Sequence, residues 1–446
     1  MFNWLKAPPS IERLPKHMID KLYMILRIRV LVGISVGYAA YYLVRSNFTL
    51  SSTYLMKDYG FSTAEIGLLG SVTAIIYGFS KFFMGNLSDK AHAQRFIAVG
   101  LFLSGLVNIC FGFANSFGMI VTLLVFNGIV QGMGAPPCSI VMTKWFSKKE
   151  RGTKTGLWNI SHNIGAMLVP PLVGLGVGIF GENHWQGGVF IFPAIIAMVI
   201  AVLVWINGKD TPESVGLPPI DEYRNDYENL EKADNASKMS PKEILVKYVL
   251  KNKFVWYLCI ANAFVYLIRF GVINWVPIYL TTVKGFTKTE AHAAFSIFEA
   301  AAIPSSLIVG FLSDKLFKGK RMPLCIISMA GVVIGTLVYW QATNILVVSI
   351  AVSIIGCLIY VPQFLIGLSA MELVPKFAVG TTVGMCGLFG YVGGSLVANA
   401  VIGVIVDRSG WDGCFILLLA GGILSTVFLF IVQRGHEKKG PKDQIA

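Results

Sequence analysis

Apolar stretches long enough to cross a lipid bilayer recur along this 446-residue chain, and they leave few folds open to it. A spanning helix needs about 20 mostly apolar residues. Six such stretches occupy roughly 28–50, 63–88, 95–114, 117–138, 154–180 and 189–207. Six more occupy roughly 254–280, 291–313, 323–341, 346–370, 380–406 and 411–433. In hydrocarbon the backbone must satisfy its own polar groups, so runs of this kind are helical. Only 14% of the residues are charged and the mean hydropathy is +0.66, whereas soluble domains carry about 25% charged residues. A lipid-covered surface needs few charges, and a soluble enzyme, nucleic-acid binder or disordered scaffold does not fit. The predicted fold is an all-α membrane protein of twelve transmembrane helices.

Connections are short except for a polar stretch at 208–253, which divides the spans six and six. The predicted organisation is a tail at 1–27, a six-helix half at 28–207, a linker at 208–253, a second half at 254–433 and a tail at 434–446. Residues 11–29 alternate basic and apolar types and are expected to lie along the inner leaflet. Lys57, Lys284, Lys288 and Arg408 fall on one side of the resulting topology, and thirty of the 37 Lys and Arg fall on the other. This bias places both termini in the cytoplasm, and it explains most of the +13 net charge without nucleic acid. The N-terminus lacks the layout of a cleaved signal peptide. The seven cysteines form no CxxC or metal-binding spacing and read as reduced, buried small hydrophobes. No metal or cofactor site is expected.

Two short motifs repeat at nearly constant offset. Gly85-Asn86-Leu87-Ser88-Asp89-Lys90 recurs as Gly310-Phe311-Leu312-Ser313-Asp314-Lys315, and Tyr42-Leu43-Val44-Arg45 recurs as Tyr266-Leu267-Ile268-Arg269. Each motif holds the equivalent place in its half, so the halves read as tandem copies. In transporters built this way the substrate site lies near the midplane, between the repeats.

Arg45 and Arg269 carry the chemistry. A charge at the bilayer centre costs roughly 2.5–3.5 kcal/mol on insertion scales, which makes such a residue a functional candidate. The alternative is that each snorkels to the outer interface, but both helices are expected to continue beyond the arginine. Two guanidiniums facing one cavity would clamp a doubly charged oxyanion, because the guanidinium fork matches phosphate bidentately. Tyr38, Tyr42 and Arg45 share a helix face, as do Tyr266 and Arg269. Lys81, four residues after Tyr77, is a third intramembrane cation. His162 is the one histidine clearly within a span, on the same face as Asn159, and could respond to phosphate protonation. Glu299 is the one clear acid deep in a span and is expected to balance cavity charge, pairing with Lys81 or an arginine. Three cations against one acid favour anion exchange over proton coupling. No nucleophile–base pair or nucleotide loop is present to support an enzyme. Gly85, Asp89, Gly310 and Asp314 read as conformational-loop residues, the glycines allowing close helix approach and the aspartates capping helix ends.

The loop motifs resemble the signature of the major facilitator superfamily. Within it GYAAYYLVRSNF (37–48), YGFSKFFMGNLSDK (77–90), QGMGAPPC (131–138), KKERG with WNISHNIG (148–165), VYLIRFGVINW (265–275) and LFGYVGGS (388–395) are similar to the organophosphate:phosphate antiporters. The resemblance implies a rocker-switch exchanger in a bacterial inner membrane, functional as a monomer. It would trade internal inorganic phosphate for an external phosphate monoester. It also implies phosphoryl binding by Arg45 and Arg269, help from His162, Lys81 and Asn159, and a cavity lined by Tyr38, Tyr42, Tyr77, Tyr266, Tyr360 and Tyr391. The glycerol-3-phosphate branch has a lysine where this chain has Ser46 and an aspartate where it has Asn274. FEAAAIPSS (298–306), LSDKLFKGKRMPL (312–324), GCLIYVPQFL (356–365) and VPKFAVG (374–380) look more like the phosphoglycerate branch, which is therefore the expected one. Glycerol 3-phosphate or a hexose phosphate is the alternative substrate, and a transporter-like sensor of external organophosphate is the alternative role.

Overall fold

The computed structural model describes residues 3–88, 91–225, 245–317, 320–374 and 379–438. Among them the regular secondary structure is helical, apart from one isolated β-bridge between Lys6 and Ala91. The first helices are α1 (Lys16–Leu43), α2 (Asn47–Tyr59), α3 (Thr63–Ser88), α4 (Ala93–Phe111) and α5 (Phe117–Gln131). They are followed by α6 (Ala135–Trp145), α7 (Lys148–Asn159), α8 (Ser161–Phe180) and α9 (Phe192–Asn207). After the linker come α10 (Lys253–Ile273), α11 (Val276–Thr282), α12 (Lys288–Lys315) and α13 (Arg321–Gln341). The last three are α14 (Ile345–Glu372), α15 (Val379–Leu388) and α16 (Leu396–Lys438).

Among the described residues eleven segments are long and apolar enough to cross a membrane. The last, Thr382–Gly435, is 54 residues long and holds two of the twelve expected spans. They join at Gly410, whose φ of 74° and ψ of −175° interrupt the helix. Of residues 11–29, expected along the inner leaflet, those from Lys16 onward are continuous with the first span in a single helix, α1.

The chain forms two compact units, one of Met1–Tyr54 with Ile76–Glu228 and one of Leu55–Ile75 with Asn229–Ala446. The end of α2 and the first half of α3 therefore belong with the second unit. Asp407 of α16 caps the N-terminus of α3. Its carboxylate accepts from the backbone of Thr63 (3.2 Å) and Ala64 (2.8 Å) and from the Thr63 hydroxyl. An acid is favoured there by the unpaired N–H groups and the helix dipole. One turn on, a Cβ on Gly67 would overlap the Asn399 carbonyl, so only glycine lets these backbones meet.

In the first unit α1 packs closely on α8, where a Cβ on Gly165 would overlap the Ala39 carbonyl. At one end of this unit the buried Asp210 caps α4 through Ala93 N (2.7 Å) and pairs with Lys144 (2.9 Å). His92, beside it, accepts from Arg95 N at Nδ1 (3.4 Å). Burial pushes the His92 pKa down to about 4, outweighing the Asp210 carboxylate. All seven cysteines are free. Cys138, Cys259, Cys325, Cys386 and Cys414 are buried as expected, while Cys110 is exposed.

Candidate functional site

Arg45 does not lie within a continuous helix, contrary to the sequence reading. α1 stops at Leu43, residues 44–46 form a turn, and helix resumes at Asn47. A break frees backbone carbonyls that a membrane interior cannot hydrate. Side-chain amides take them up. Val44 O accepts from Asn108 Nδ2 (2.9 Å) and Asn127 Nδ2 (3.2 Å), and Tyr41 O accepts from Gln131 Nε2 (3.3 Å). Ser104 ties the donors together, giving its hydroxyl to Asn127 (2.5 Å) and accepting from Gln131 (2.9 Å). Asn47 closes the group by donating to Asn108 Oδ1 (2.8 Å) and Val189 O (3.0 Å). All five side chains are buried.

Arg45 emerges from this turn onto aromatic faces. Its guanidinium carbon stands 4.0 Å from the Tyr77 ring centroid and 5.5 Å from that of Tyr42. The Tyr77 hydroxyl is hydrogen-bonded to Arg45 and Tyr38, and Lys81 is its other charged neighbour. Tyr42 lies 5.4 Å from the His162 ring and 5.7 Å from Tyr38, which packs on Trp158 at 4.9 Å. α7 ends at Asn159, and its carbonyl meets His162 Nδ1. A carbonyl only accepts, so Nδ1 carries the proton, and Nε2 of the neutral ring is an acceptor. The first unit thus brings Arg45, Lys81, His162, Asn159, Tyr38, Tyr42 and Tyr77 into one chain of neighbouring groups. They make a basic, aromatic surface fit for an oxyanion.

In the second unit Arg269 sits inside a helix that continues to Ile273, as expected. It is buried, at 6% exposure. Its Nη2 donates to the Tyr360 hydroxyl (2.7 Å), which donates to Glu299 Oε2 (2.9 Å). Its Nη1 donates to Gln363 Oε1 (3.1 Å). The guanidinium also lies 4.5 Å from the Tyr360 ring and 5.0 Å from Phe270. Tyr391, in the π-helical stretch Phe389–Ser395, meets Tyr266 at 5.4 Å. Glu299 is therefore linked to Arg269 through Tyr360.

The two units support their arginines differently. The buried residues of α13 and α14 include no asparagine or glutamine, and α10 runs unbroken past Arg269. Asn274, at the later break, donates to Asn399 Oδ1 (3.0 Å). The sequence reading missed Asn47, Ser104, Asn108, Asn127, Gln131 and Gln363. A signal for four of them exists: Ser104/Asn108 and Asn127/Gln131 are polar pairs four residues apart within apolar spans.

The loop motifs add less. Asp89 lies outside the described residues, and Gly85 and Asp314 fall in the last turns of α3 and α12. A Cβ on Gly310 would meet open space, so close helix approach does not explain that glycine here. Among the described residues no group of His, Cys, Asp and Glu is placed to hold a metal.

Residues 34–398 match the family model of the Major Facilitator Superfamily. The chain is 48% identical over 435 residues to a glycerol-3-phosphate transporter of Bacillus subtilis, covering 96% of this chain and 97% of that protein. It is 44% identical over 439 residues to a phosphoglycerate transporter protein of Salmonella typhimurium, covering 98% and 95%. Its fold resembles that of a bacterial homologue of the human lysosomal transporter Spinster, with a TM-score of 0.75 at 17% identity over 93% of this chain and 99% of that one. The chain belongs to the Major Facilitator Superfamily, beside the glycerol-3-phosphate and phosphoglycerate transporters.

Proposed function

We propose that this chain is a secondary transporter of a bacterial inner membrane, exchanging an external phosphate monoester for internal inorganic phosphate by alternating access. The observation that carries this reading is the pair of repeat-related arginines, each set against a tyrosine ring and hydrogen-bonded to a tyrosine hydroxyl in its own unit. Arg45 and Arg269 bind the phosphoryl oxygens, and Lys81 and His162 add positive charge and a proton-sensitive contact. Tyr38, Tyr42, Tyr77, Tyr266, Tyr360 and Tyr391 shape the cavity and exclude water.

Electrostatics supplies a reason for exchange. Cationic side chains held away from water cost several kcal/mol each unless an anion neutralises them. A bound dianion does so, and Glu299 does so only in part. Reorientation is therefore favoured with phosphate or its ester in place, and one anion returns for each that enters. Both termini then lie in the cytoplasm, and a single chain is the working unit.

Phosphoglycerate is the ester this reading favours, since the neutral Asn274–Asn399 pair opposes no second carboxylate. Identity of 48% to a glycerol-3-phosphate transporter favours that ester instead. Proteoliposomes separate them: phosphoglycerates, phosphoenolpyruvate, glycerol 3-phosphate and hexose 6-phosphates compete with labelled phosphate uptake. Strongest competition by a phosphoglycerate supports the reading, and strongest competition by another ester replaces it. Ligand binding without any exchange would make the chain a sensor.

A further inference from the structure

A second basic site lies at the start of α1, on residues with no part in the transport reading. A cavity of about 630 Å³ is lined by Lys21, Arg27, Lys154 and Arg224, with Asp20 and Glu150 as its acids. All belong to the first unit. Both acids are engaged. The Tyr223 hydroxyl donates to Asp20 Oδ1 (2.9 Å), and Arg27 pairs with Glu150. Among the described residues no carboxylate lies within ion-pair distance of Lys21, Lys154 or Arg224. The cavity thus holds an excess of positive charge.

Its wall is fixed in place. Tyr223 stacks on Tyr23 of α1 with ring centroids 4.1 Å apart, and Arg13 forms a bidentate pair with Glu222 at 2.7 and 2.6 Å. The turn that brings in Arg224 is therefore held to the helix that brings in Lys21.

The apolar part of the same wall identifies the occupant. Met24 and Ile28 line the cavity and are each 62% exposed. Val32 and Val36 continue that exposed row at helical spacing along α1. From Met24 to Val36 the row rises about 18 Å, roughly the hydrocarbon depth of one leaflet. A free phosphate would use the cations alone. A lipid uses both, with its phosphate among the cations and an acyl chain along the row. Basic pockets between spanning helices take anionic headgroups in this way.

We infer that this cavity binds the headgroup of an anionic phospholipid, with Lys21, Lys154 and Arg224 holding the phosphate and the Met24–Ile28 face carrying an acyl chain. The test uses the full chain in detergent, titrated with phosphatidylglycerol or phosphatidylcholine and read by native mass spectrometry. The parent retains phosphatidylglycerol in preference. The triple variant Lys21→Gln, Lys154→Gln, Arg224→Gln loses that preference by roughly fivefold or more, at least the share of a single basic residue at an anionic surface. A second triple variant, Lys6→Gln, Lys16→Gln, Lys253→Gln, removes the same charge from exposed positions outside the cavity and keeps the preference. Unchanged melting of both variants in phosphatidylcholine shows that they are folded. Equal preference in the cavity variant and the parent overturns the inference, as does equal loss in both variants. Loss of the parent's preference in about 10 mM inorganic phosphate identifies a free-phosphate site and also overturns it.

Discussion

Replacing Asn108 with leucine tests whether the amide group beneath Arg45 serves function or only packing. The side chain is buried and makes three hydrogen bonds, to Val44 O (2.9 Å), Ser104 O (2.9 Å) and from Asn47 Nδ2 (2.8 Å). Leucine has a similar volume, so the change removes bonds without opening a large cavity. The partners are not wholly orphaned, because Val44 O keeps Asn127 and Asn47 keeps Val189. At about 1 kcal/mol per lost bond, less the gain from burying leucine, the expected cost is about 2 kcal/mol. Most of it falls on the turn that aims Arg45, so KM for phosphate rises roughly tenfold or more while the protein stays folded. Labelled phosphate exchange in proteoliposomes, run over a range of phosphate concentrations beside thermal melting, measures both effects. Thr336→Val is the control, since it removes a buried hydroxyl bonded only within its own helix (Val332 O, 2.8 Å). It lowers stability and leaves KM unchanged. A KM within twofold of the parent in Asn108→Leu, or an equal rise in Thr336→Val, would refute the reasoning.

Three further outcomes follow from the geometry. Tyr360→Phe removes the hydroxyl between Arg269 and Glu299, and charge-assisted bonds are worth about 1.5–3 kcal/mol. Its kcat/KM in phosphate exchange should fall roughly 10- to 100-fold, and a change under twofold would separate this link from transport. Gly67→Ala places a methyl against the Asn399 carbonyl. Overpacking costs about 1–3 kcal/mol, so the melting temperature drops, and an unchanged melt would show that the two helices do not meet this closely. His92, held near pKa 4 by burial, binds fewer protons folded than unfolded between about pH 4 and 6.5. Stability is therefore full above 6.5 and is lost on acidification through that window, by up to about 1.4 kcal/mol per pH unit. His92→Gln should flatten this part of the melting profile, and an unaltered profile would place the titration elsewhere.

The spans were legible because hydropathy alone specifies them. What the sequence concealed was made by tertiary contact. Val44-Arg45-Ser46 holds neither glycine nor proline, yet the helix breaks there, because amides on α4 and α5 accept the cost of the freed carbonyls. The charges Lys21, Arg27 and Arg29 read as a surface tail, while the apolar row between them lets α1 begin at Lys16. Grouping of 55–75 with the second unit depends on Gly67, Gly403 and Asp407, which have no joint signature in the sequence. Tyr42 beside Arg45 is readable from helical spacing, whereas Tyr77 and Tyr360 lie on other helices and are reached only through the family resemblance. Gln363 is not readable, because a lone amide in an apolar span marks no particular face.

The most direct test of the central claim is uptake of a labelled phosphate monoester into phosphate-loaded proteoliposomes by the parent, Arg45→Lys and Arg269→Lys. Lysine keeps the charge and loses the fork. The account predicts uptake only when internal phosphate is present, and a fall of about 100-fold or more in each variant. Uptake into phosphate-free vesicles, or full exchange by both lysine variants, would contradict it.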